Sequence, residues 1–267
     1  YVDAALVVEY GRQLAAQVRS NLNRPTGETH PDTALPSISA STAQNRVSAV
    51  NSVLTLATQG QWVPVSPTCL SECGITKRIR VRKTPPTGLN REHLQRASSA
   101  LDARGQAITC LARELGLRSK EASLLDAVSA LNEAVKTGEV TIERGTKGGR
   151  SRRFTVSSDR QLTALQQAAD VQGSSRAVMP PEEDWKSWRE TGLRHIRETL
   201  KKFGIRGIHE LRSAYACERY EQLTGFRAPV LGGNAPSDLD RKARLQISAE
   251  LGHSRIDITN AYLGGQR

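Results

Sequence analysis

Apolar residues recur at helical spacing along most of the chain. Over residues 3–22, Ala5, Leu6, Val8, Leu14, Val18 and Leu22 predict a helix, and Asn23–Ser39 reads as a polar, proline-containing loop. A second helix is expected over 41–60, capped by Ser41 or Thr42, with Val47, Val50, Leu54 and Ala57 on one face and Gly60 as its stop. Val63–Gly74 carries prolines and reads as loop.

The later part of the chain is mixed. Helices are predicted over 90–114 and 118–136, separated by a turn at Leu115-Gly116-Leu117 and closed by Gly138. Val140–Arg144 and Ser151–Val156 alternate as strands around the turn Gly145-Thr146-Lys147-Gly148-Gly149, a hairpin signal. Further helices are expected over 158–172, 182–202, 207–223 and 237–251, with a short one over 257–263. No solenoid repeat is present. Between the two regions lies the strip Lys77-Arg78-Ile79-Arg80-Val81-Arg82-Lys83, followed by Thr84-Pro85-Pro86-Thr87-Gly88, which reads as a linker. The expected organisation is therefore an all-helical domain with a basic linker (1–84) and a mainly helical domain with one small antiparallel sheet (85–267).

Charge narrows the function. The 267 residues hold 38 Lys and Arg against 27 Asp and Glu, a net charge of +11 spread along the chain. Such a surface favours a polyanion, with nucleic acid ahead of an anionic membrane. Aromatic residues make up 4%, too few for a single-strand binder built on stacking platforms. No apolar run is long enough to span a bilayer, and no signal-peptide pattern occurs. The chain begins at Tyr1 rather than Met and is expected to be a piece of a longer protein. Cys69, Cys73, Cys110 and Cys217 are too sparse for a disulfide framework, and the Cys69/Cys73 pair lacks the further ligands of a zinc site. A reducing cytoplasm and no metal or cofactor are expected.

Individually, the polar candidates are unremarkable. The hairpin turn lacks the P-loop order, and Lys147, Arg150, Arg152 and Arg153 read equally well as solvated charge. His209 and Arg212 share a helix face at i, i+3. His253 follows a glycine, as a residue at a helix end does, and Tyr262 alone is an ordinary tyrosine.

Their order is more informative. Leu115-Gly116-Leu117-Arg118-Ser119-Lys120-Glu121, then Lys147 in a hairpin turn, His209-Glu210-Leu211-Arg212, Leu251-Gly252-His253 and finally Tyr262 resemble the motif series of the tyrosine recombinase (phage-integrase) family. By motif the resemblance covers about residues 90–267; the first domain fits it by size, helicity and charge. It implies a helical core DNA-binding domain followed by a mixed α/β catalytic domain of the tyrosine recombinase type. It implies cutting and rejoining of duplex DNA through a 3′-phosphotyrosyl intermediate, in a phage or mobile element. Tyr262 is then the nucleophile and His209 the acceptor of its proton. Arg118 and Arg212 hold the charge developing on the phosphate, His253 donates to a phosphate oxygen, and Lys147 protonates the leaving 5′ oxygen. Glu121 is expected to orient Arg118. Lys77, Arg78, Arg80, Arg82, Lys83, Arg150, Arg152 and Arg153 are expected to meet DNA phosphates.

Two features depart from the family pattern. The stretch between Arg212 and His253 is long, and Phe226–Asp238 reads as a surface insertion. Only five residues follow Tyr262 in the sequence, and the usual segment docking on a neighbour is expected to be short or missing. The expected partners are a specific double-stranded DNA site, further copies of the chain in a tetramer on synapsed DNA (monomer or dimer when free), and an accessory directionality factor. A relaxing topoisomerase and a non-catalytic DNA-binding protein on the same fold are the competing readings.

Overall fold

A computed structural model describes residues 2–22 and 38–265. The chain divides into two compact units, Tyr1–Ile79 and Arg80–Arg267, so the division falls inside the basic strip rather than after Thr84.

In the amino-terminal unit, α1 (Ala4–Leu22) packs on α2 (Ala40–Ala57). Its core holds Val7, Leu14, Val18, Val47 and Ile75. Ser39, two positions before the nearer of the expected caps, is the N-cap of α2: its hydroxyl accepts the Thr42 N–H at 3.1 Å. Asn51 pins the following loop, donating to the Val65 carbonyl at 2.8 Å and accepting from Trp62 Nε1 at 2.9 Å. Most of the expected Asn23–Ser39 loop, residues 23–37, lies outside the described residues.

The carboxy-terminal unit contains α3 (Arg91–Ser99), α4 (Ala103–Glu114), α5 (Ser119–Leu124), α6 (Ala127–Thr137), the strands β1 (Glu139–Ile142) and β2 (Arg152–Thr155), α7 (Asp159–Gln172), α8 (Trp185–Glu190), α9 (Gly192–Lys202), α10 (Ile208–Thr224), α11 (Ser237–Glu250) and α12 (Asn260–Leu263). β1 and β2 pair antiparallel, with Val140 opposite Phe154 and Ile142 opposite Arg152. Three helices expected to be continuous are broken. Asp102 caps α4 by accepting the Gly105 N–H at 2.7 Å, which ends the run begun at Arg91. Leu125 is extended and Asp126 caps α6, which splits 118–136. Non-helical Thr191 separates α8 from α9. In the first two cases an aspartate accepts N–H groups that a continuous helix would have paired with its own carbonyls.

Two apolar clusters organise this unit. One joins α4, α6, α7 and α9 through Leu111, Ala130, Leu165, Leu193 and Leu200. The other surrounds the second half of α10 with Tyr220, Ile247, Leu251, Tyr262 and Leu263. Phe226–Asp238 is not a free surface loop. Its Ala228 and Ala235 are buried in the second cluster, where short apolar side chains leave water for the core.

Candidate active site

The first arginine sits on a turn. Gly116 has φ +64°, and a Cβ on it would lie 2.5 Å from Cδ1 of Tyr215, so the turn closes only around a glycine. Arg118 then caps α5 in extended conformation. The Glu121 carboxylate accepts the Arg118 N–H at 2.8 Å and its Nη1 at 2.5 Å. Glu121 is fully buried and also receives Nη1 and Nη2 of Arg152 at 2.8 and 2.7 Å. Nη1 of Arg212 is 3.6 Å away. Burial pushes this carboxyl up, but the Arg152 guanidinium, the Arg118 N–H and the Arg212 charge outweigh it and hold it down to about 2.

Arg212 projects from α10 into the same place. It is fully buried, donating through Nη1 to the Gly116 carbonyl, through Nη2 to the Leu251 carbonyl, and through Nε to the Tyr262 hydroxyl at 3.4 Å. Arg118 Nη2 reaches the same Leu251 carbonyl at 3.3 Å. The two arginines therefore converge. Arg118 keeps 23% of its side chain exposed and Arg212 none, so Arg118 is the outward member of the pair.

Tyr262 lies between two imidazoles. His253 Nε2 is 3.2 Å from its hydroxyl. The His209 and His253 rings are tilted against its ring at centroid distances of 5.5 and 5.8 Å. The Arg212 guanidinium carbon lies 5.7 Å from the centre of the tyrosine ring. Burial and then the Arg212 charge push both histidines below the usual imidazole range, His253 to about 4. Both are neutral at pH 7 and each can accept a proton. His253, rather than the expected His209, is the imidazole within hydrogen-bond reach of the tyrosine.

The segment carrying Tyr262 is held on its own chain. Buried Arg244, anchored by Asp240, donates to Thr259 Oγ1 at 3.2 Å, Asn260 Oδ1 at 2.9 Å and the Gly264 carbonyl at 3.1 Å. These contacts bracket the tyrosine on both sides. The Arg82 N–H adds a bond to the Asn260 carbonyl at 2.8 Å. Sequence reasoning missed Arg244. Its i, i+4 relation to Asp240 on α11 is visible in the sequence, but a surface pair looks the same.

Of the residues singled out in the sequence, Arg118, Glu121, His209, Arg212, His253 and Tyr262 come together. Lys147 does not join them; it lies exposed in the hairpin turn, with no hydrogen bond or ion pair among the described residues. Lys77, Arg78, Arg80, Lys83 and Arg150 are also exposed. Arg153 is exposed too, but bonds Thr141 Oγ1 at 3.2 Å and faces Glu133 and Glu139. Two expected phosphate contacts require correction. Arg82 is turned inward, bonded to Glu210 at 2.6 Å, Ser213 at 3.2 Å and the Thr84 carbonyl at 2.8 Å. Arg152 is spent on Glu121 and on the Glu250 carbonyl at 2.8 Å. Their donors face protein acceptors, not solvent.

The family model described as Integrase matches residues 81–218, a little over half of the chain, and the chain belongs to this family, the tyrosine recombinases. The matched stretch contains Arg118, Lys147, His209 and Arg212; His253 and Tyr262 lie beyond it and meet Arg118, His209 and Arg212 through the fold. Among solved structures, the chain is similar to a lambda integrase(75-356) dimer bound to a COC′ core site, with TM-score 0.58 and 14% identity over 98% of this chain and 82% of that one. It is also similar to lambda integrase bound to DNA, with TM-score 0.50 and 15% identity over 84% of this chain and 75% of that one. A further similarity is to XerA recombinase, with TM-score 0.45 and 18% identity over 98% and 86% of the two chains. No curated protein sequence matches.

Proposed function

We propose that the chain is a site-specific DNA recombinase of a phage or other mobile element, cutting and rejoining duplex DNA with Tyr262 as nucleophile. The observation that carries this reading is the Tyr262 hydroxyl held between Arg212 Nε and His253 Nε2, 3.4 and 3.2 Å away. In the proposed step the tyrosine oxygen attacks the scissile phosphorus and its proton passes to the neutral His253. The bond from phosphorus to O5′ breaks, and Lys147 delivers a proton to that oxygen. His209, with Arg118 and Arg212, stabilises the charge on the non-bridging oxygens. A guanidinium suits that role because it stays charged and donates in a planar fork. The 3′-phosphotyrosyl bond keeps the energy of the broken ester, and the 5′ hydroxyl of a partner strand reverses the step to rejoin DNA. Duplex DNA as substrate is supported by the net charge of +11 and by the core site bound to the similar lambda integrase.

Duplexes recovered from a randomised pool by covalent capture on the protein provide the test. Captured duplexes should undergo strand exchange with one another in the presence of the protein. Relaxation of supercoils without exchange would turn the reading toward a topoisomerase, and no denaturant-resistant capture at all would refute it.

A further inference from the structure

The Lys147 hairpin is tied to the site at both of its ends. At the start of β2, Arg152 and Phe154 point inward while Arg153 and Thr155 point out. Arg152 is buried: Nη1 and Nη2 grip the two oxygens of Glu121, and Nε donates to the Glu250 carbonyl. Its Cδ lies against Gly252, where an added Cβ would sit 3.0 Å away. One side chain thus reaches the turn that presents Arg118 and the segment that presents His253. The other end is Gly145, with φ +75°. A Cβ there would lie 2.7 Å from the Lys120 carbonyl oxygen and 3.0 Å from the Glu121 N. Both ends of the loop are therefore seated on the same stretch, Lys120–Glu121. Between them Lys147, Gly148, Gly149 and Arg150 are exposed.

We propose that Arg152 is the positioning residue for Lys147, fixing the reach of the loop relative to Arg118 and Arg212. The proposal rests on the reading of Lys147 as the group that protonates the leaving 5′ oxygen. A loop with an exposed tip samples many directions, and a general acid works only within about 3 Å of the atom it serves. Seating both ends on the Arg118 turn ties the range of the tip to the arginines that would hold the phosphate. Neither anchor needs to touch DNA.

Leaving-group chemistry distinguishes this from a general structural role. With sulfur in place of the bridging 5′ oxygen, the leaving thiolate is stable near neutral pH and needs no proton. Cleavage would be measured on captured duplexes carrying either oxygen or sulfur at that position, for the wild type, Lys147→Ala, Arg152→Gln, Arg152→Lys and Gly145→Ala. The expectation is that Arg152→Gln, Gly145→Ala and Lys147→Ala each lose about 100-fold or more on oxygen and return to within a few-fold of the wild type on sulfur. Arg152→Lys should show a smaller loss on oxygen and the same recovery, because an ammonium cannot grip both Glu121 oxygens and the Glu250 carbonyl together. Hydrogen exchange of amides 144–151 should quicken in Arg152→Gln without DNA. If Arg152→Gln fails to fold, Arg152→Lys and Gly145→Ala decide the question. Variants at Arg152 and Gly145 that stay slow on sulfur while Lys147→Ala recovers, or that cleave oxygen normally, overturn the proposal. Lys147→Ala remaining slow on sulfur refutes the role of Lys147 itself, and no capture by the wild type refutes the functional reading.

Discussion

At the scale of single residues, the site is organised around one carboxylate. Glu121 is surrounded by Arg118, Arg152 and Arg212, and it offsets part of a charge that would otherwise be costly to bury. Glu121→Gln removes the charge and keeps the shape. The expected loss of stability is about 3–5 kcal/mol, as for breaking one side of a buried ion pair, read by urea unfolding at pH 7. Because the folded carboxyl sits at about 2, below its ordinary value of 4.5, its stabilising contribution is present above pH 4.5 and fades as pH falls toward 2. The variant should therefore lack that part of the acid transition.

His253 gives a second acid-sensitive window. Held at about 4 when folded, against 6.5 when free, it makes the unfolded chain the better proton acceptor between those values. Stability should fall as pH drops from 6.5 toward 4, and His253→Gln should flatten that slope. A titration showing equal slopes in wild type and variant would contradict the burial and the Arg212 charge as the cause.

Among the elements, α10 carries His209 and Arg212, and α11 carries Arg244, which holds the segment around Tyr262. Arg244→Gln should leave duplex binding nearly unchanged and slow covalent capture by about 10- to 100-fold, because misplacement by an ångström can cost about 100-fold. Equal losses in binding and capture would place Arg244 outside the positioning of Tyr262.

The sequence made some of these elements legible and hid others. The order of Arg118, His209-x-x-Arg212, His253 and Tyr262 was readable because each motif is local. The split of 90–114 and 118–136 was hidden because Asp102 and Asp126 look like helix-surface residues until their carboxylates are seen to accept N–H groups. Arg152 is expected among the phosphate contacts although a signal against it is present: in an alternating strand it shares a face with Phe154, and an apolar Phe154 points to the core. The inward turn of Arg82 has no comparable signal, since its acceptor Glu210 is 128 positions away. The role of His253 beside the tyrosine hydroxyl likewise depends on tertiary approach.

At the scale of the whole molecule, the charge of +11 separates into cations that face solvent and cations that hold the fold together. Lys77, Arg78, Arg80 and Lys83 belong to the first group; Arg82, Arg152 and Arg244 belong to the second. Their effects on DNA binding should differ in kind. Replacing the four exposed cations by Ala should lower the slope of log affinity against log salt by up to about 3 to 4, at roughly 0.9 per phosphate contact. Arg82→Ala should leave that slope unchanged and lower the unfolding midpoint, because it loses the Glu210 pair. Titrations of duplex DNA between low and moderate salt would separate the two groups.

As the proposed nucleophile, the buried Tyr262, set between Arg212 and His253, becomes covalently joined to DNA. The most direct measurement is mass-spectrometric mapping of the protein–DNA adduct after denaturation and nuclease digestion. A single nucleotide-modified peptide containing Tyr262 is expected, linked through a 3′ phosphate and absent from Tyr262→Phe. A modified residue elsewhere, a 5′ linkage, or an undiminished adduct in Tyr262→Phe would contradict it.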